Sequence, residues 1–355
     1  MGGPIWAFPE NVRHGYFTCT SCHVSPSGGG VLTPYGRSLS AELMSTWGTT
    51  KVSGFLFSDQ EDEERNPPWF RAQGLLRGVQ TYRNTPAIEK ALWIPMQADL
   101  EGGYDSEKFA IIGTLGYHAK KGSTDLVEAF SRRHYILYRW NDNWVNRAGK
   151  FMFSFGLNEP DHITATRRGL GWDQGSETYN FETSYLGDSH SETLTFISSS
   201  PELDNVKRDT ALALNTGFFA FKNSRIGFSL YGGEQITSKR IVYGLYWILS
   251  LTEKAYLSSE VFIQNRQDKI RLEKKNGYAT FHRLGYEITK GLFPYIQADR
   301  SFLDTTDKSA KLDSYGLGIQ WLPFPHFEVM GFVGKEQTAE NDPTDFAWLI
   351  FNFYI

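Results

Sequence analysis

From Trp69 to Ile355 the apolar residues of this chain recur at every second position, and that period limits the architectures open to it. Successive side chains of an extended strand point to opposite faces, so a period of two makes a sheet with one apolar and one polar side. Tyr315, Leu317, Ile319 and Trp321 alternate with Ser314, Gly316, Gly318 and Gln320. Leu212, Leu214 and Phe218 alternate with Ala213, Asn215 and Gly217. Leu92, Ile94, Met96 and Ala98 alternate with Trp93, Gln97 and Asp99, and Phe109, Ile111, Leu115 and Tyr117 with Ile112, Thr114, Gly116 and His118. A soluble sandwich, apolar on its inner faces, would satisfy this pattern as well.

Two features decide against the sandwich. The strands run to about 8–14 residues, longer than the roughly 5–6 usual in globular sheets and suited to a tilted membrane crossing. The connections also alternate in length. Short ones fall at 141–143, 222–224, 251–254, 289–291 and 323–326; long polar ones fall between them, near 119–132, 157–174, 199–208, 266–276, 302–311 and 335–344. A sandwich has no reason to sort its loops by parity, whereas outer-membrane barrels join tight periplasmic turns to long outer loops.

The predicted fold is therefore all-β, a transmembrane up-and-down antiparallel β-barrel of about 16 strands in the bacterial outer membrane. An even count puts both termini on one side, the periplasmic one. Trp69, Trp93, Trp140, Trp144, Trp321 and Trp348 are expected at interfacial girdles in contact with outer-membrane lipid. The last strand, with Ala347, Leu349, Phe351, Phe353 and Ile355 on one face, is similar to the C-terminal insertion signal of such barrels, although the final residue is isoleucine rather than phenylalanine. The polar face would build a lumen from Arg71, Arg77, Gln97, Asp99, Glu101, Thr114, His118, Glu182, Glu260, Gln264, Arg266, Gln297 and Asp299, pairing with one another.

Composition closes off other classes. No stretch nears the roughly 20 apolar residues of a membrane helix, and the mean hydropathy is −0.40. Alternating strands average to such a value even when they cross lipid. A net charge of −4 offers no basic face for nucleic acid, so no nucleic-acid partner is expected. The opening Met-Gly-Gly-Pro-Ile-Trp lacks the charged and apolar regions of a signal peptide. Either the protein is cytosolic or the numbering begins at a mature or engineered start, and the haem motif at Cys19-Thr20-Ser21-Cys22-His23 favours the second.

Ahead of the alternating region stands the chain's whole complement of cysteine, in Cys19-Thr20-Ser21-Cys22-His23. A structural zinc site wants a second ligand pair, which is absent; a redox dithiol wants a following βαβ unit, also absent; a disulfide remains open. A c-type haem accounts for the spacing and the adjacent histidine together: Cys19 and Cys22 for the thioether bonds, His23 as iron ligand. On the other side of the iron the candidates are His14, Met44 and His118, or no residue at all. Val24-Ser-Pro-Ser-Gly-Gly-Gly follows, whose glycines let backbone approach a flat ring. It is no phosphate loop, since no Lys-Ser/Thr pair follows it. Arg37 is a candidate partner for a haem propionate or a plain solvent-facing cation, and Ser38 is expected to cap a short helix to about Trp47. The chain thus divides into a haem-binding segment (1–57), an acidic linker ending in a double proline (58–68) and the barrel (69–355). Asp161-His162, within a long loop, reads as surface; no nucleophile elbow or paired-carboxylate motif suggests an enzyme.

The haem motif followed by Ser-Pro-Ser-Gly-Gly-Gly and Leu-Thr-Pro-Tyr-Gly-Arg, ahead of a barrel, resembles the outer-membrane cytochrome-porins of bacteria that respire on extracellular acceptors. The motif match spans about residues 14–45. The resemblance implies one haem c held at Cys19 and Cys22 with His23 axial. It also implies electron transfer with periplasmic and extracellular multihaem c-type cytochromes. A hydrocarbon core is about 30 Å thick, too thick for one haem to bridge. A lone haem is then one station in a relay, or the haem segment is a plug or redox sensor in a passive or selective porin.

Overall fold

The structure, a computed structural model, describes residues 9–16, 18–40, 44–48, 69–85, 89–119, 126–158, 163–172, 175–198, 209–221, 223–339 and 342–354. The linker at 58–68 and Asp161-His162 lie outside them.

Seventeen strands form one antiparallel sheet: β1 (Phe70–Asn84), β2 (Glu89–Asp105), β3 (Phe109–Ala119), β4 (Leu126–Phe130), β5 (His134–Arg139), β6 (Trp144–Phe151), β7 (Thr178–Leu186), β8 (His190–Ser198), β9 (Thr210–Ala220), β10 (Ser224–Glu234), β11 (Ser238–Ser250), β12 (Ala255–Asp268), β13 (Lys274–Tyr286), β14 (Leu292–Phe302), β15 (Lys311–Phe324), β16 (Phe327–Thr338) and β17 (Thr344–Tyr354). β4 and β5 are two halves of one crossing, since both pair with β3. Sixteen crossings result, and β17 pairs with β1 from Leu75↔Tyr354 to Asn84↔Asp345, which closes the barrel. Closure leaves no unpaired edge, the condition for a sheet to stand in lipid.

The connections sort by side as expected. Those at 106–108, 140–143, 187–189, 221–223, 251–254, 287–291 and 325–326 all lie at the mouth where the barrel begins and ends. One departure is the tight Gln235–Thr237 hairpin on the long-loop side, closed by a Gln235 N–H to Ser238 carbonyl bond of 2.7 Å.

Lipid-side positions follow the alternation: Leu317 is 58% exposed, Leu115 64% and Ile296 57%. Leu317 stands mid-strand in β15, opposite Ile296 and Val333. Leu317→Arg is expected to destabilise the barrel by about 2–4 kcal/mol, the cost of a cation near the bilayer midplane. Denaturant unfolding from lipid vesicles reads this, and a change under about 0.5 kcal/mol, as at a neutral surface site, would contradict a lipid-facing Leu317.

Three expectations need correction. The β2 alternation is broken by a bulge: Arg77 pairs with Gln97 but Gly78 with Pro95, so Met96 is an extra residue. One extra residue flips the faces, and Ile94 therefore packs into the barrel interior while Trp93 points out, 49% exposed. Trp348 is no girdle residue; it is 7% exposed, clustered inside with Val79, Tyr295, Met330, Phe332 and Ile350. The short helix is Pro34–Leu39, capped by Thr33, whose Oγ1 accepts the Gly36 N–H, rather than by Ser38. Proline at the first helical position and a threonine before it favour that start.

The interior is filled. Most of the expected lumen residues are buried, among them Gln97, Asp99, Glu101, Thr114, Glu182, Glu260, Gln264 and Gln297, while Arg266 is exposed. Two inserted segments meet them. The N-terminal segment enters at the short-turn mouth, where Arg13 pairs with Glu287 at 2.6 Å and the Thr46 and Trp47 N–H groups bond to the Leu322 and Pro323 carbonyls. Its short 3-10 helix Pro9–His14 touches β10, β11 and β12. Val24 and Val31 pack across the bore with Ala110, Ile112, Tyr135, Leu137, Val145 and Phe151. The second segment, between β6 and β7, folds inward: Phe153, Phe155, Leu170 and Trp172 join Tyr231, Val242, Phe262 and Ala279. Its π-helical turn Ala165–Gly169 lies on β12, β13 and β14.

Candidate functional site

Cys19, Thr20 and Ser21 form one tight turn, closed by the Cys22 and His23 N–H groups on the Cys19 carbonyl at 3.2 and 3.0 Å. The turn brings both thiols and the imidazole to one cavity of about 390 Å³ inside the barrel, in the size range of cofactor pockets. Both cysteines are free thiols. Among the described residues no group of three or more histidine, cysteine or carboxylate side chains could hold a bare metal ion.

Behind His23 the chain makes a glycine cradle. Gly28, Gly29 and Gly30 all have positive φ, at 79°, 69° and 70°, a conformation that glycine adopts without strain. Close approach is needed too: a Cβ on Gly28 would come within 3.2 Å of Cys19 Sγ, and one on Gly30 within 2.8 Å of Glu101 Oε1. The loop returns the Gly30 carbonyl to His23 Nδ1 at 3.3 Å. A carbonyl there selects the Nδ1–H tautomer and leaves Nε2 as the free donor atom, the arrangement common at metal-bound histidines. Burial first of all, with Arg133 adding to it, lowers the His23 pKa to about 4, so the ring is neutral at physiological pH. Burial raises the Cys19 thiol, opposed by Arg225 and Arg147, and pushes Cys22 up to about 12.

The barrel wall, its β4–β5 link and the inward segment contribute what the N-terminal segment lacks. Six arginines, Arg77, Arg132, Arg133, Arg147, Arg167 and Arg225, border the cavity. Several are fixed by acids outside it: Arg132 on Asp99 at 3.0 Å, Arg133 on Glu101 at 2.9 Å and Arg147 on Glu182 at 2.7 Å. Arg147 also ties the N-terminal segment down, donating to Ser25 Oγ and Ser27 Oγ at 2.7 and 2.9 Å. Leu32 N–H bonds to Gln73 Oε1 at 3.2 Å. Apolar walls come from Leu75, Phe151, Phe153 and Trp172.

This donor set fits a haem. Two thiols, a pre-oriented imidazole, a Cβ-free backbone cradle, flat apolar walls and cations for two carboxylates stand around one cavity. The cavity lies within the lumen, level with Glu101, Arg147 and Glu182, so the motif sits deeper than the mouth.

The remaining candidates separate. His14 closes the turn at the mouth, beside Arg13, and is not among the cavity residues; burial, then Arg13, lowers its pKa to about 4. Arg37 also stands off the cavity, donating to the Ala72 carbonyl. Met44 borders the cavity but is 6% exposed in a cluster with Tyr16, Phe293 and Leu322. His118 pairs with Gln97 in the β2–β3 ladder, and its side chain lies outside the description. Of the six arginines only Arg77 was marked in the sequence, as a lumen residue; no sequence signal marked the other five or Met152, which also lines the cavity. Only their convergence in space identifies them.

No protein-family model and no curated protein matches the chain. Solved structures do. The outer-membrane-expressed OmpT of Vibrio cholerae superposes with a TM-score of 0.64 at 10% identity, covering 82% of this chain and 99% of that one. An anion-selective porin from Comamonas acidovorans gives 0.61 at 9%, covering 81% and 99%. Pseudomonas putida OprB, in a high-pH structure, gives 0.62 at 8%, covering 88% and 99%. At these identities the likeness concerns the fold: the chain is a closed, porin-like outer-membrane β-barrel with a small N-terminal segment inside it.

Proposed function

We propose that the barrel is an outer-membrane c-type cytochrome carrying one haem c bonded through Cys19 and Cys22, with His23 as axial ligand. The observation behind this reading is the joint placement of both thiols and the carbonyl-oriented imidazole on one lumenal cavity. When bound, the haem supplies a one-electron ferric–ferrous couple. The chain's own residues orient the imidazole (Gly30), hold the segment in the bore (Arg147, Gln73) and offer cations to propionates (Arg133, Arg167, Arg225). The reading assigns no substrate conversion. Both termini are periplasmic, and multihaem c-type cytochromes on the two sides of the membrane exchange electrons with it, because one haem is shorter than a hydrocarbon core of about 30 Å.

The arginine-rich lumen and the porin-like fold favour a second reading, a selective porin whose N-terminal segment is a plug or redox sensor. The two differ in haem content and electron flux. Pyridine haemochrome on the purified protein is expected to show one thioether-linked haem per chain, lost in the Cys19→Ser/Cys22→Ser double variant. Proteoliposomes with an internal redox dye and multihaem c-type cytochromes supplied on both faces are expected to pass electrons. Haem-free protein that passes small solutes would replace the cytochrome with the porin.

A further inference from the structure

We infer that Met152, from the inward segment after β6, would join His23 as the second protein ligand to the iron; the inference rests on the haem reading above. His23 commits Nδ1 to Gly30, so Nε2 is the atom it can offer across the cavity. Among the described residues that border the cavity, the other side chains with a soft or imidazole donor are two methionines. Met44 belongs to the same N-terminal segment as His23 and is locked at 6% exposure in a closed cluster with Tyr16, Phe293 and Leu322. Met152 comes from the other inserted segment. It is half-buried, packed against the cluster that holds Phe153, Phe155 and Trp172, and it still borders the cavity. Met152 therefore borders the cavity from an element independent of the haem motif. Methionine suits the role because its unbranched thioether swings without disturbing its packing, and a thioether opposite histidine raises the reduction potential. The consequence is structural as well: one side chain couples the inward segment that narrows the lumen to the iron.

Absorption and magnetic circular dichroism of the ferric holoprotein test this, after pyridine haemochrome has shown the haem present. Low-spin iron with a sulfur-to-iron charge-transfer band is expected, lost in Met152→Leu and kept in Met44→Leu. Met152→His is expected to restore low-spin iron with a bis-imidazole spectrum and a lower midpoint potential. Retention of the band in Met152→Leu, its loss in Met44→Leu alone, or a wild-type protein that is high-spin or bis-histidine would each overturn the assignment. Absence of thioether haem overturns the function proposed above instead, and this ligand with it. Leucine nearly conserves the volume, and heat-modifiable mobility on gels verifies that the barrel has folded.

Discussion

Replacing Arg147 with alanine is expected to cost the folded protein about 3–5 kcal/mol, the range for breaking one side of a buried ion pair. Arg147 and Glu182 are each 1% exposed in their side chains and meet at 2.7 Å. The same guanidinium donates to Ser25 Oγ and Ser27 Oγ and lies 3.6 Å over the Phe151 ring. Alanine leaves the Glu182 carboxylate buried, with the Thr195 hydroxyl donating to it at 3.2 Å. That desolvation dominates, and lost packing adds to it. Replacing both members with apolar residues of similar volume removes the stranded charge, so Arg147→Met/Glu182→Met is expected to recover most of the loss. Denaturant midpoints measure the first effect. Proteolytic cutting within residues 18–40 measures the second, because the same arginine moors the N-terminal segment to β6. A single variant within about 0.5 kcal/mol of the parent and equally resistant would show that the pair is not what holds the segment.

Legibility differed sharply between lipid side and lumen. Lipid imposes one rule along each strand, so Tyr315, Leu317 and Ile319 announced an outward face and are 46%, 58% and 42% exposed. Loop parity worked for a similar reason, since hairpin turns at one mouth are short by construction, although the Gln235–Thr237 hairpin shows that the other mouth tolerates a tight turn. The lumen obeys no such local rule. Val242 and Phe281 are 0% exposed on the inner face because segments distant in sequence cover them, and strand pattern alone cannot reveal a filled bore. The Met96 bulge stayed hidden because register belongs to the β1–β2 pair and not to β2 by itself. In the site, Cys19, Cys22 and His23 were readable because they share one turn. Arg132, Arg133, Arg147, Arg167, Arg225 and Met152 were not, because they come from β6, β10, the link between β4 and β5, and the inward segment, while Arg77 on β1 was legible only as a lumen residue.

Substituting Val24 and Val31 together with aspartate is expected to release the N-terminal segment from the bore and raise ionic conductance several-fold, the largest functional change predicted for this chain. Each valine is 1% exposed, packed against Ala110, Ile112, Tyr135, Leu137, Val145 and Phe151. Full burial of one such side chain contributes roughly 1.5–3 kcal/mol. An unpaired carboxylate at either place adds a further desolvation cost of several kcal/mol. Together these exceed what else holds the valine loop in the bore, hydrogen bonds of about 1–3 kcal/mol each such as Leu32 to Gln73 and Arg147 to Ser25 and Ser27, while Arg13 on Glu287 keeps the segment's start at the mouth. The segment leaves the bore while the barrel stays, because the β1–β17 and neighbouring ladders contain none of its residues. Single-channel recording in planar bilayers distinguishes the outcomes: a large rise with unchanged heat-modifiable mobility is expected. Unaltered conductance from a folded barrel would mean that the inward segment at 152–172 sets the bore, and that the N-terminal segment is a cofactor carrier that does not limit ion flow.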